Sequence, residues 1–219
     1  MYGGATRYRD TPTDESVELP PLPETAFYAR SKRESEAMVL EAHQRGEIWA
    51  CAVRPDVIYG RRDRQFVPRI GKVIARGFFP LLGGGRSTLA IVHAGNVADG
   101  AVRAIGTDIA GGKAYNLAND YDVTVREFVR LAAQGLGRRV VLVPVPMILA
   151  KTVFKLMTIL IGVARRGAAL SQAGGAVAFV SRSNPFSSDR ARRELGWAPP
   201  VRPGVGIPEA FRWWADQRA

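Results

Sequence analysis

A helical pattern from Tyr28 to Gly46 passes directly into a wholly apolar run, Ile48–Val53, and that junction limits what this chain can fold into. Tyr28, Ser31, Met38 and Leu40 recur at helical spacing, with Thr25 in the N-cap position. The apolar run suits a strand buried on both faces, as in a parallel sheet. A helix feeding at once into such a strand is the αβ half of a βαβ unit. Pro55 predicts the end of that strand's ladder, and Gly60 frees the backbone beyond it. The turn just past a parallel strand is where open α/β sheets place their ligands. With 47% apolar residues the chain can bury a sizeable core.

The helix carries Tyr28 and Lys32 four residues apart, so both side chains lie on one face, one turn from each other. A tyrosine is a poor base at neutral pH, and an ammonium group one turn away favours its phenolate. The pair is therefore a candidate proton-transfer device for alcohol–carbonyl interconversion. His43 and His93 have no Cys or His at ligand spacing, so no metal site is expected. Cys51 is the single cysteine, which excludes an internal disulfide and fits a reducing compartment. The start, Met1-Tyr2-Gly3-Gly4, does not read as a signal peptide. The net charge of +11 comes without a nucleic-acid recognition motif, so no nucleic-acid partner is expected. Ten Lys or Arg against one acid, Asp189, between Arg138 and Arg193 make an anionic surface the sharper reading of that charge and a solvated face the plainer one.

Tyr28-x-x-x-Lys32, followed some twenty residues on by Arg54-Pro55-Asp56-Val57-Ile58-Tyr59-Gly60, resembles the extended short-chain dehydrogenase/reductase family, the group of NAD-dependent epimerases/dehydratases and 3β-hydroxysteroid-dehydrogenase-like proteins. Further segments match in order. Ala90–Ala98 resembles a strand and helix entry, with Asn96 as N-cap of a helix Val97–Ile105. Ala114–Ala118 resembles the late strand, and Thr124-Val125-Arg126-Glu127 is a capping box. Ser188–Trp197 resembles the C-terminal signature, and Gly204–Trp214 the last helix. The family's dinucleotide fingerprint, Gly-x-x-Gly-x-x-Gly, does not occur. Gly83-Gly84-Gly85 reads as a turn. Tyr2-Gly3 aligns with the family segment Ser-Ser-x-x-Val-Tyr-Gly, so the chain reads as truncated at its N-terminus.

The resemblance implies an α/β fold: the C-terminal half of a Rossmann-like parallel sheet with a small α/β substrate cap. Residues 1–60 and 90–118 would be mainly Rossmann remainder, and 61–89 and 119–219 mainly cap and C-terminal helices, all of one domain. It implies Tyr28 as catalytic acid/base, with Lys32 assisting it and bonding the nicotinamide ribose. Pro55, Asp56, Val57 and Ile58 would line the nicotinamide of NAD or NADP, with backbone groups holding its carboxamide, and Tyr59 would pack beneath. Val57 stands where nucleotide-sugar epimerases carry Asn, which favours a small apolar, sterol- or flavonol-like substrate over a nucleotide sugar. A non-catalytic interaction module is the third reading. The segment 147–164 is apolar but holds Lys151 and Lys155. It reads as a core helix, a pocket lid or a peripheral membrane contact rather than a membrane span. A cytoplasmic location and a homodimer through the Tyr28 helix complete the expectations.

Overall fold

The computed structural model describes residues 13–18, 21–118, 120–146, 148, 152 and 186–218. Apart from Ile148 and Thr152, the apolar segment 147–164 lies outside the described residues. The elements are α1 (Phe27–Gln44), β1 (Ala52–Pro55), β2 (Val57–Tyr59), α2 (Phe66–Ile74), β3 (Phe78–Leu82), β4 (Ile91–His93), α3 (Ala94–Ile105), β5 (Ala114–Leu117), α4 (Val125–Gly135), β6 (Val141–Val145), α5 (Asp189–Leu195) and α6 (Pro203–Asp216). The fold is α/β, and every named strand pairs in parallel: β1 with β5, β2 with β4, β3 with β6. Parallel neighbours need long crossovers, and helices supply them here.

The chain divides into two compact units. The first comprises 1–59, 90–121 and 185–202. In it β1 and β5 pair from Ala52↔Ala114 to Pro55↔Leu117, and β2 and β4 from Val57↔Ile91 to Tyr59↔His93. Val92, Tyr115, Leu117, Leu195 and Trp197 form its apolar centre, with Ala104, Ala110 and Ala191 filling the gaps. Short α5 ends at Gly196, whose left-handed φ of 59° lets the backbone turn out of the helix.

The second unit comprises 60–89, 122–184 and 203–219. Here β3 and β6 pair, and α2, α4 and α6 pack through Phe66, Phe128 and Phe211, with ring centroids 5.6 and 5.8 Å apart. Asp63 accepts from the backbone N–H groups of Gln65, Phe66 and Val67 and so caps the start of α2. Thr124 caps α4, its hydroxyl accepting from Glu127 N at 3.1 Å, which is the threonine half of the expected capping box.

Four local expectations are corrected. Strand β1 begins at Ala52 rather than Ile48 and runs through Pro55, which is the last rung of its ladder and not a residue beyond it. Proline lacks only the N–H, so it can close a strand whose next residue changes partner. The expected loop Pro55–Ile58 is accordingly two short strands hinged at Asp56. Helix α1 is capped at Ala26 with no side-chain bond, not by Thr25. Helix α3 begins three residues earlier than Val97, at Ala94, and His93 caps it, its Nδ1 accepting from Gly95 N at 3.1 Å. Asn96 lies inside the helix and is used in tertiary bonds instead, because its amide can both donate and accept across a buried junction.

Candidate active site

Helix α1 has no fully buried residue. Its partly covered positions are Ala29, Arg33, Glu36, Leu40, Ala42 and His43, mostly three or four apart, so one stripe faces the protein and the rest faces out. Tyr28 and Lys32 lie on the outward part, Tyr28 being 75% exposed. The Lys32 ammonium sits over the tyrosine ring, 5.8 Å from its centroid. That is within range of the ring's negative face.

Two of the described contacts tie this helix to β1 and its approach. One turn beyond Lys32, Glu36 pairs with Arg54 on β1. Arg54 Nε donates to Glu36 Oε2 at 3.0 Å and Oε1 at 3.1 Å, and Arg54 Nη2 donates to Oε1. The side chains are only 14% and 13% exposed, so water screens this fork less than a surface pair. Near the helix end His43 Nδ1 accepts from Ala50 N at 3.2 Å and fixes the approach to β1. One ion pair therefore links the helix bearing Tyr28 and Lys32 to the strand running into Pro55, Asp56, Val57 and Ile58.

Those four residues stand at the end of β1 and the start of β2. Pro55 has no amide hydrogen, and Val57 N donates to Ala90 O at 3.2 Å, so neither amide is left for a ligand. Val57 and Ile58 are 38% and 43% exposed and present an apolar surface. Tyr59 is buried beneath, edge-on to His93 with centroids 5.3 Å apart.

Four tyrosines are described, and their surroundings separate them. Burial, with the Asp120 charge adding to it, pushes the Tyr59 hydroxyl well above its ordinary range. Burial and the hydrogen bond to Glu194 (2.7 Å) do the same to Tyr115. Tyr121 donates to Pro199 O at 2.7 Å. Tyr28 alone of the four stands beside an ammonium group and open to solvent.

Below the strand ends lies a buried polar junction. Asp120 accepts from His93 N (2.9 Å), Asn96 Nδ2 (2.7 Å) and Tyr121 N (2.9 Å). Burial nevertheless raises its carboxyl above the ordinary value, against those donors. Asn96 also donates to Val201 O and accepts from Val201 N, while its carbonyl accepts from Trp197 Nε1 at 3.0 Å. Neither the Glu36–Arg54 link nor the Asn96–Asp120 junction was legible as such. The one sequence signal was Glu36, four residues past Lys32 on the same helix. Among the described residues no three His, Cys, Asp or Glu side chains gather closely enough to hold a metal ion.

Comparison with known proteins gives this arrangement its relatives. The model of the 3-beta hydroxysteroid dehydrogenase/isomerase family matches residues 7–143. A ketoreductase of Stigmatella aurantiaca, for 4-hydroxy-2-methyl-3-oxo-4-farnesyl-3,4-dihydroquinoline-1-oxide, is 31% identical over 199 residues, covering 89% of this chain and 57% of that protein. The 3beta-hydroxysteroid-dehydrogenase/decarboxylase isoform 3 of Arabidopsis thaliana is 25% identical over 98% of this chain and 39% of its own length. Human short-chain dehydrogenase/reductase family 42E member 1 is 36% identical over 138 residues, 57% of this chain and 35% of that protein. The chain thus spans little more than half the length of these relatives, or less. Among solved structures, RMD from Pseudomonas aeruginosa with NADPH superimposes with a TM-score of 0.65 at 17% identity, over 98% of this chain and 63% of that one. UDP-glucuronic acid 4-epimerase from Bacillus cereus with NAD gives 0.65 at 15%, over 99% and 60%. Both share the Rossmann-type fold. From the Tyr28–Lys32 helix through the Arg54–Gly60 strands, within the matched span, the chain belongs to the 3-beta hydroxysteroid dehydrogenase/isomerase family of the extended short-chain dehydrogenases/reductases.

Proposed function

We propose that this chain forms the catalytic and substrate-facing part of an NAD(P)-dependent oxidoreductase that interconverts a hydroxyl and a keto group on an apolar substrate. The observation that carries the reading is the exposed Tyr28–Lys32 pair on a helix tied by Glu36 and Arg54 to the strand leading into Pro55–Ile58. The donor set fits a nicotinamide nucleotide. Lys32 offers an ammonium to ribose hydroxyls, and Val57 and Ile58 offer an apolar wall to a flat ring. When bound, the nicotinamide supplies the hydride acceptor for oxidation and the donor for reduction. Tyr28 Oη takes the hydroxyl proton in oxidation and returns it to the carbonyl oxygen in reduction. Lys32 keeps its ammonium over the Tyr28 ring, 5.8 Å from the centroid, and would bind the ribose from that position. Tyr59 and Tyr115, held as neutral phenols, stay out of the transfer.

An apolar substrate is supported by the exposed Val57 and Ile58, and by relatives named for a steroid and for a farnesylated quinoline. The cofactor's phosphates call for a glycine-rich βα turn; the fingerprint Gly-x-x-Gly-x-x-Gly does not occur in the sequence, so turnover is assigned to the chain joined to a segment that carries one. NADH and NADPH titration, followed by energy transfer from the four tryptophans, tests the site in the chain itself. Saturable binding weakened about tenfold by Lys32→Ala, the worth of one charge-assisted contact, is expected. No binding at millimolar cofactor would refute a self-sufficient site in this chain. Tyr28→Phe retaining turnover on a hydrophobic ketone, in the chain joined to a dinucleotide-binding half, would refute the chemistry.

A further inference from the structure

The charge of the molecule is divided unevenly between its two units. Among the described residues, the unit of 60–89, 122–184 and 203–219 carries 13 Lys and Arg against 5 Asp and Glu, a net +8. The other carries 11 against 14, a net −3. Twelve of the 13 cations are exposed.

Three of them stand beside an apolar face. Strands β3 and β6 enter their parallel ladder side by side, Phe78 opposite Val141, with Val141 N donating to Gly77 O at 2.9 Å. Alternation along the strands sends Phe79 and Leu81 inward, at 8% and 0% exposure. Phe78, Val141 and Val143 face the other way, 51%, 65% and 40% exposed. Arg76 lies two residues before β3, and Arg138 and Arg139 lie three and two residues before β6, all three exposed. None of the three sits in an ion pair among the described residues. Their position after the ends of α2 and α4 complements the helix dipoles. The dipoles account neither for the uncovered apolar face next to them nor for the unit's net charge.

We infer that the outer face of β3 and β6, edged by Arg76, Arg138 and Arg139, docks on an anionic phospholipid surface. A bilayer interface accepts a few apolar side chains at the headgroup boundary while lipid phosphates pair with arginines, and this face offers both at one strand entry. A nucleic-acid groove would ask for stacked aromatics, and this face has one phenylalanine. Among the described residues no helix is long and apolar enough to span a membrane, so the contact is peripheral. This face is built from described residues of β3, β6 and the arginines before them, and it does not rest on the hydride-transfer reading.

The test is co-sedimentation of the 219-residue chain with phosphatidylcholine vesicles, plain or containing about one third phosphatidylserine. Binding should require the anionic lipid and weaken between about 0.1 and 0.5 M salt. Each basic residue at such a surface contributes about fivefold, so the triple variant R76E/R138E/R139E should partition at least about a hundredfold less. The pair Phe78→Ser and Val141→Ser should lower binding several-fold at unchanged charge. R62E/R64E/R212E makes the same charge change elsewhere on the unit and should cost distinctly less. Circular dichroism and melting of each variant separate lost docking from lost fold. Equal losses in the two triple variants, equal binding to neutral vesicles, or no partitioning at low salt would each overturn the inference, the last pointing to a protein or nucleic-acid occupant.

Discussion

Replacing Asn96 with alanine distinguishes two roles that differ in magnitude. If Asn96 were a helix cap, its loss would cost about 1 kcal/mol. The structure gives it three side-chain hydrogen bonds at a fully buried position: to Asp120 Oδ2 at 2.7 Å, to Val201 O at 2.9 Å and from Val201 N at 2.8 Å. The bond to the carboxylate is charge-assisted, worth about 1.5–3 kcal/mol, and each of the others about 1 kcal/mol. Val201 is only half-buried, so water recovers part of the loss there. The expected destabilisation is about 3–4 kcal/mol, several times a cap's worth. With a urea slope near 2 kcal/mol/M, the unfolding midpoint should fall by about 1.5–2 M. Trp197, whose indole donates to Asn96 O, lets intrinsic fluorescence follow the transition beside circular dichroism. Asn96→Asp sharpens the test. It keeps an acceptor for Val201 N but sets a second carboxylate against Asp120, whose carboxyl burial already holds above 3.8. Two such groups cannot both ionise cheaply, so this variant should be least stable at neutral pH and approach the wild type as pH falls toward about 4. A midpoint change under about 0.5 M for Asn96→Ala, or a pH-independent Asn96→Asp, would refute the reasoning.

Glu36→Gln removes the carboxylate charge that pairs with the largely buried Arg54 side chain and should cost about 2–4 kcal/mol, with amide exchange rising first along α1; exchange unchanged over 27–44 would show that the ion pair does not hold that helix. Gly135→Ala would push a methyl into the backbone of Pro208, where α4 meets α6, and should destabilise by about 1–3 kcal/mol in thermal melts; an unchanged melting temperature would count against that close approach. Glu194 is held below its ordinary 4.5 by hydrogen bonds from Lys113 and Tyr115, 2.8 and 2.7 Å away. Its folded-state value is depressed, so its contribution is present above about 4.5 and lost as pH falls below that. Urea midpoints of the wild type should therefore drop faster than those of Glu194→Gln on acidification, and parallel curves would contradict the assignment.

The sequence is legible where chemistry is local. Tyr28 and Lys32 share a helix face because 3.6 residues make a turn, whatever surrounds them. Thr124 and Glu127 cap α4 through a bond spanning three residues. The apolar run before Arg54 does lead into a parallel pair, but only Ala52 and Val53 of it join the strand, β1 is partly rather than fully buried, and Ile48 and Trp49 are exposed. Family membership followed from the order of these segments, which is a property of the chain alone. Tertiary structure decided what depends on distant partners. Asn96 and His93 are both competent caps, and Asn96 was drawn off by Asp120 and Val201, 24 and 105 residues away. Pro55 could end a ladder or close one, and pairing with Leu117 settled it. Glu36 and Arg54 are ordinary surface residues until the fold brings their side chains together and excludes water, which turns two charges 18 residues apart into the link between α1 and β1. Local bonds cost little chain entropy and leave their mark in spacing, whereas long-range contacts form only after the backbone has been closed around them, so no short stretch of sequence records them.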